Sequence, residues 1–351
     1  MLNFNSSLIN EHFLLNVFGV TWNLEIIYLL IILPLSIFGF FLNILSVFII
    51  QKIKKNNIHM IYNYLAIYCI NSTFIMIVMM PSFYYFTPRI IGFRTDLFAK
   101  IFNCFFANFF GTTFFLFGNL MDILICYDRL TIFKIKLKSS EKYMNPYLII
   151  IGLYIICFGI NVLSLLRVRI ASDEEVAINL MRSINTTTIF YLNGRGIFST
   201  NVFAFASYLF CRDILTLILE ISISIVLVIN VREYIKNSSV NETVLNHAQT
   251  RHHQNNQNQT NARKLKRQVI INLSKLTLYL SLISIISHLL VFMTFIGFFL
   301  VSKPIIINSL ITFSFFSLYM KHAINFFVLI LLDKNFNRIF KAIFSKPTTR
   351  N

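Results

Sequence analysis

At 351 residues the chain is long enough for one or two domains. Apolar residues make up 56% of it and charged residues 13%, where a soluble domain carries roughly 25% charged. So little charge cannot coat a water-soluble surface, which argues against a soluble enzyme. The 31 Lys and Arg outnumber 14 Asp and Glu, giving a net charge of +17. That excess fits either nucleic-acid binding or topogenic charge beside a membrane, and the positions of the charges decide.

Crossing a bilayer takes about 20 apolar residues as helix. After an amino-terminal segment, 1–25, apolar runs predict seven spans at about 26–50, 61–86, 101–129, 147–166, 214–231, 271–301 and 304–332. The stretch Ile197 to Cys211 is 15 residues, about 22 Å as helix and short of the roughly 30 Å hydrocarbon. It is expected to pack on the outer surface. The expected fold class is therefore an all-α membrane protein, a seven-transmembrane helix bundle.

Twenty of the 31 basic residues fall in the segments after spans one, three, five and seven, and nine on the other side. Five of those nine lie in the long loop between spans four and five, where charge weighs less. The amino terminus is thus expected outside the plasma membrane and the carboxyl terminus inside, with no nucleic-acid partner needed. The first 20 residues lack a basic start and a small-residue cleavage site, so span one would serve as the targeting signal. Asn5-Ser6-Ser7 and Asn185-Thr186-Thr187 are glycosylation sequons on the outward side.

Asn246 to Asn261 is rich in Asn, Gln and His without apolar periodicity, which predicts a flexible cytoplasmic loop. Its His247, His252 and His253 are expected to be solvated, so no metal and no cofactor is called for. In the last segment, 333–351, Phe336, Ile339, Phe340, Ile343 and Phe344 recur at helical spacing, with Lys334, Arg338, Lys341 and Lys346 on other faces. This predicts a short amphipathic helix on the inner leaflet. Anionic lipid is the expected partner there and at Arg263, Lys264, Lys266 and Arg267.

Several residues carry a family likeness. Tyr127-Asp128-Arg129-Leu130 closes span three, and Cys104 stands 25 residues upstream at the other end of the same helix. Together they resemble the Asp/Glu-Arg-aromatic motif and the disulfide cysteine of the rhodopsin-like (family A) G-protein-coupled receptors. Asn43 resembles that family's span-one Asn, and Asn325 stands where the family has Asn-Pro-x-x-Tyr. The resemblance covers roughly residues 26–345 in layout and marks a divergent member. Cys69 replaces the family's span-two acid, Phe326 and Leu329 replace the Pro and Tyr of span seven, and the lone Trp is Trp22.

The resemblance implies a receptor that binds an extracellular ligand, peptide or small molecule, and activates heterotrimeric G proteins, with no catalytic chemistry of its own. It implies a disulfide between Cys104 and Cys211 that ties the long outer loop over the bundle mouth. It makes Arg129 the output residue, paired with Asp128 when the bundle is closed, with Asn325 in the coupling machinery. The family often holds this Arg with an acid at the inner end of span six; here that end is basic, which predicts ligand-independent activity.

A charge at mid-bilayer costs about 2.5–3.5 kcal/mol on insertion scales, so such residues are functional or paired. Counting at 1.5 Å per residue, Asp122 and Lys321 fall close enough in depth for an ion pair between spans three and seven. Glu220 and His288 fall at comparable depths in spans five and six and are expected to bond to each other, or Glu220 recognises a cationic ligand. The rival reading is a transporter or channel using Asp122, Glu220, His288 and Lys321; the scarcity of Gly and Pro and the lack of a repeat weigh against it.

Overall fold

The computed structural model describes residues 28–54, 61–80, 101–135, 145–169, 172, 194–195, 210–248, 255–300 and 304–344. In chain order, α1 is Leu33–Lys54, α2 Ile61–Met79, α3 Thr112–Ile135 and α4 Pro146–Arg167. They are followed by α5 Leu215–Ala248, α6 Asn255–Leu300, α7 Pro304–Leu332 and α8 Lys334–Phe344. Wider π-helical turns lead into α1, α3 and α5 at Tyr28–Ile32, Phe102–Gly111 and Phe210–Ile214. Among the described residues the other regular structure is a two-residue antiparallel pairing, Val168–Arg169 with Gly194–Arg195.

A backbone in hydrocarbon must satisfy its own hydrogen bonds, and helices do so within one segment. The hydroxyls follow the same rule. Ser36, Ser46, Thr73, Thr277 and Ser287 each donate to the carbonyl four residues earlier. At the start of α4, Asn145 Oδ1 accepts the Tyr147 amide at 3.0 Å while Pro146 takes the first helical position.

Among the described residues, five helical segments are long and apolar enough to cross a membrane: Leu29–Lys54, Ile61–Val78, Phe109–Phe133, Arg212–Lys236 and Gln268–Thr294. A sixth is added if Phe316–Leu332 and Lys334–Phe344, bent by 95°, count as one span. Tyr147–Val162 is a shorter apolar helix. The bend falls where composition changes: Lys334, Arg338 and Lys341 of α8 are exposed. Phe336 is buried, and Ile339, Phe340 and Ile343 pack on the main core.

The surface is inverted relative to a protein in water. Leu30, Phe38, Phe41, Ile155 and Phe313 are exposed, while Asp122, Glu220, His288, Lys321 and His322 are buried. That arrangement suits a membrane-embedded protein. Helix α3 is central, touching α2, α4, α5 and α6; α7 packs on α1, α2 and α6, and α8 lies against α1 and α7.

The expected loop at 246–261 is corrected in part. Helix α5 continues to Ala248 and α6 begins at Asn255, so helix occupies most of that stretch. The segment has no apolar stripe, so periodicity cannot announce a helix there.

Candidate functional site

Buried polar groups converge at the centre of the bundle. Lys321 Nζ of α7 lies 2.6 Å from Asp122 Oδ2 of α3, both side chains almost wholly enclosed. The same ammonium donates to Asn119 Oδ1 at 3.1 Å and to Ser284 Oγ of α6 at 2.7 Å. An unpaired ion here would cost several kcal/mol in desolvation. The hydroxyl and amide partners absorb the remaining donors of the ammonium.

Glu220 of α5 is buried next to this group, with the Ser281 and Ser284 hydroxyls beside its carboxylate. Ser281 Oγ is 2.5 Å from Ser224 Oγ, which joins α6 to α5. The expected bond between Glu220 and His288 is not formed: among the described residues Glu220 Oε1 and both His288 ring nitrogens lack a hydrogen-bond partner. Similar depth does not ensure that two side chains turn toward each other.

A second polar knot joins α1, α2, α3 and α7. Asn43 Nδ2 donates to the His322 carbonyl at 3.0 Å, and Asn325 Nδ2 donates to the same oxygen at 3.3 Å. The His322 ring meets Ser72 Oγ at 3.0 Å through Nδ1. Asn71 Nδ2 donates to the Phe114 carbonyl at 2.9 Å. Gly118 permits this crossing, since a Cβ there would stand 3.2 Å from His322 Cε1 and 3.3 Å from Asn71 Nδ2.

At one end of α3, Arg129 and Asp128 form a buried ion pair, with Nε and Nη2 both donating to Asp128 Oδ2. At the same end Asp333 occupies the corner between α7 and α8. Its Oδ1 accepts the Asn335 and Phe336 amides at 2.9 and 3.4 Å, and its Oδ2 accepts the Tyr62 hydroxyl at 2.9 Å. Burial pushes the Asp333 carboxyl above the usual carboxylate range, against the pull of these donors.

The calculation of depth from sequence points to Asp122, Glu220, His288 and Lys321 but passes over Asn119, Ser284, Ser281 and Asp333. Short polar residues are common in apolar helices, so only their place against Lys321 or Tyr62 distinguishes them. Cys69, Cys126 and Cys157 are buried free thiols. The Cys104 and Cys211 side chains, the sequons at Asn5 and Asn185, and the side chains of His247, His252 and His253 lie outside the described residues. Among the described residues no group of three His, Cys, Asp or Glu could hold a metal ion. No family model matches the chain, and comparison with curated proteins finds no similar sequence.

Proposed function

We propose that the chain is a ligand-activated receptor coupled to heterotrimeric G proteins, a divergent relative of the rhodopsin-like family. In this reading it crosses the plasma membrane seven times with its amino terminus outside. Helices α4 and α7, 22 and 29 residues long, complete the seven. The observation that carries the reading is the buried Asp128–Arg129 pair at the end of a helix that touches four others. Among the described residues the guanidinium is hydrogen-bonded to its sequence neighbour Asp128, so its release breaks local bonds within one helix, and it is then free to meet a helix inserted from the cytoplasm.

The reading predicts nucleotide exchange on purified G proteins by the full chain in vesicles, above empty vesicles even without ligand, and lost in Arg129→Ala. A transporter or channel is the second reading, favoured by the burial of Asp122, Glu220, His288 and Lys321 inside the bundle. Ion flux across the same vesicles with no exchange on any G protein would establish it instead.

A further inference from the structure

Two carboxylates flank a single ammonium at the bundle centre. Lys321 of α7 sits against Asp122 of α3 at 2.6 Å and bonds Ser284 of α6 at 2.7 Å. Ser284 also stands beside the Glu220 carboxylate of α5, within electrostatic reach of Lys321. Glu220 Oε1 has no hydrogen-bond partner among the described residues. Among the described residues, the His288 and His322 imidazoles lie within electrostatic reach of Lys321. One cation and two acids leave one acid without a cation wherever the cation rests.

We propose that Lys321 is a two-position switch, its ammonium resting on Asp122 when the bundle is closed and on Glu220 when it is open. A lysine's four-carbon stem lets its ammonium swing about a fixed backbone. The Ser284 hydroxyl, set between the acids, accepts from it in either position. Moving the cation unties α7 from α3 and ties it to α5, and each position leaves one acid without a cation. An arrangement with two discrete partners is what a bistable element requires. The observed position accompanies a buried, Asp128-bound Arg129, which identifies the Asp122 position with the closed bundle. The signalling part of this inference rests on the receptor reading; the exchange of partners does not.

The test uses Asp122→Asn, Glu220→Gln and the double variant of the full chain in lipid nanodiscs. In thermal unfolding each single variant loses little, because the other acid takes the ammonium, while the double variant loses far more than the sum. Additive losses overturn the switch. If the double variant yields no folded protein while both singles do, adding Lys321→Met must restore the yield; failure to restore it also overturns the proposal. In nucleotide exchange Asp122→Asn raises the basal rate about fivefold and Glu220→Gln lowers it, and shifts of the same sign overturn the assignment of states. If no variant, nor the unaltered chain, exchanges nucleotide, the receptor reading falls, and the unfolding comparison still decides the switch.

Discussion

Tyr62 and Asp333, 271 positions apart, are hydrogen-bonded: the phenol at the start of α2 donates to the carboxylate at which the chain turns from α7 into α8. The same carboxylate caps the first turn of α8 through the Asn335 and Phe336 amides. One side chain thus sets where the last helix begins and which helix holds it.

Tyr62→Phe leaves Asp333 Oδ2 buried without its donor and should cost about 1–3 kcal/mol. Asp333→Ala also removes the cap, worth about 0.5–2 kcal/mol. Hydrogen exchange over 334–344 should quicken in both variants, more in Asp333→Ala. Exchange at the unaltered rate would show that α8 is held by its apolar face alone.

The burial of Asp333 has a pH signature. Its carboxyl is held above the ordinary carboxylate value, so the folded chain binds the proton more tightly than the unfolded one. The resulting stabilisation is full below the ordinary carboxylate range and is lost as pH rises through the raised value. Unfolding midpoints across that window should fall with rising pH in the unaltered chain, and Asp333→Asn should flatten the slope. Parallel curves for the two would exclude Asp333 as the source.

Gly118→Ala should destabilise the bundle by about 1–3 kcal/mol, the usual cost of overpacking. The added methyl would press on His322 and Asn71, whose side-chain bonds join α2 to α7 and to the Phe114 carbonyl of α3. Adding Ser72→Ala to Gly118→Ala frees the His322 ring to shift and should reduce the cost below the sum of the two. Thermal unfolding of the three variants checks this, with simple additivity as the contrary result.

Lys321→Met removes the cation from two buried acids and should cost about 3–5 kcal/mol, the penalty of a broken buried pair. Adding Asp122→Asn should recover a large part, since a neutral amide can remain in the same place. A double variant no more stable than Lys321→Met alone would mean that Asp122 is not held by charge. Folded yield and unfolding temperature in detergent report both outcomes.

Uniform helical rise explains what the sequence could reveal. Counting from Arg129 and from Leu332 puts Lys321 one turn further in than Asp122, within reach of its long side chain, and in the structure their charged atoms lie 2.6 Å apart. The same counting puts Glu220 near His288, yet no bond joins them. Rise gives depth, whereas the rotation of each helix about its axis depends on packing with every neighbour. Asp333 was hidden for another reason. Beside Lys334 at a helix end it reads as a surface acid, and only the return of α8 against α1 and α7 encloses it. The Asn-rich helical ends of α5 and α6 carry no apolar stripe, so hydropathy alone cannot separate them from loop.

Helix α6 runs unbroken for 46 residues, about 69 Å at the usual rise. The apolar part that can lie in a bilayer is Gln268–Thr294, and the 13 residues from Asn255 to Arg267 continue the helix beyond it by about 20 Å. Such an extension works as a lever with its fulcrum at the membrane face: a tilt of about 10° would carry its tip sideways by about 3.5 Å. A small rotation near Ser284 within the bundle is therefore carried to the helix end beyond the membrane face.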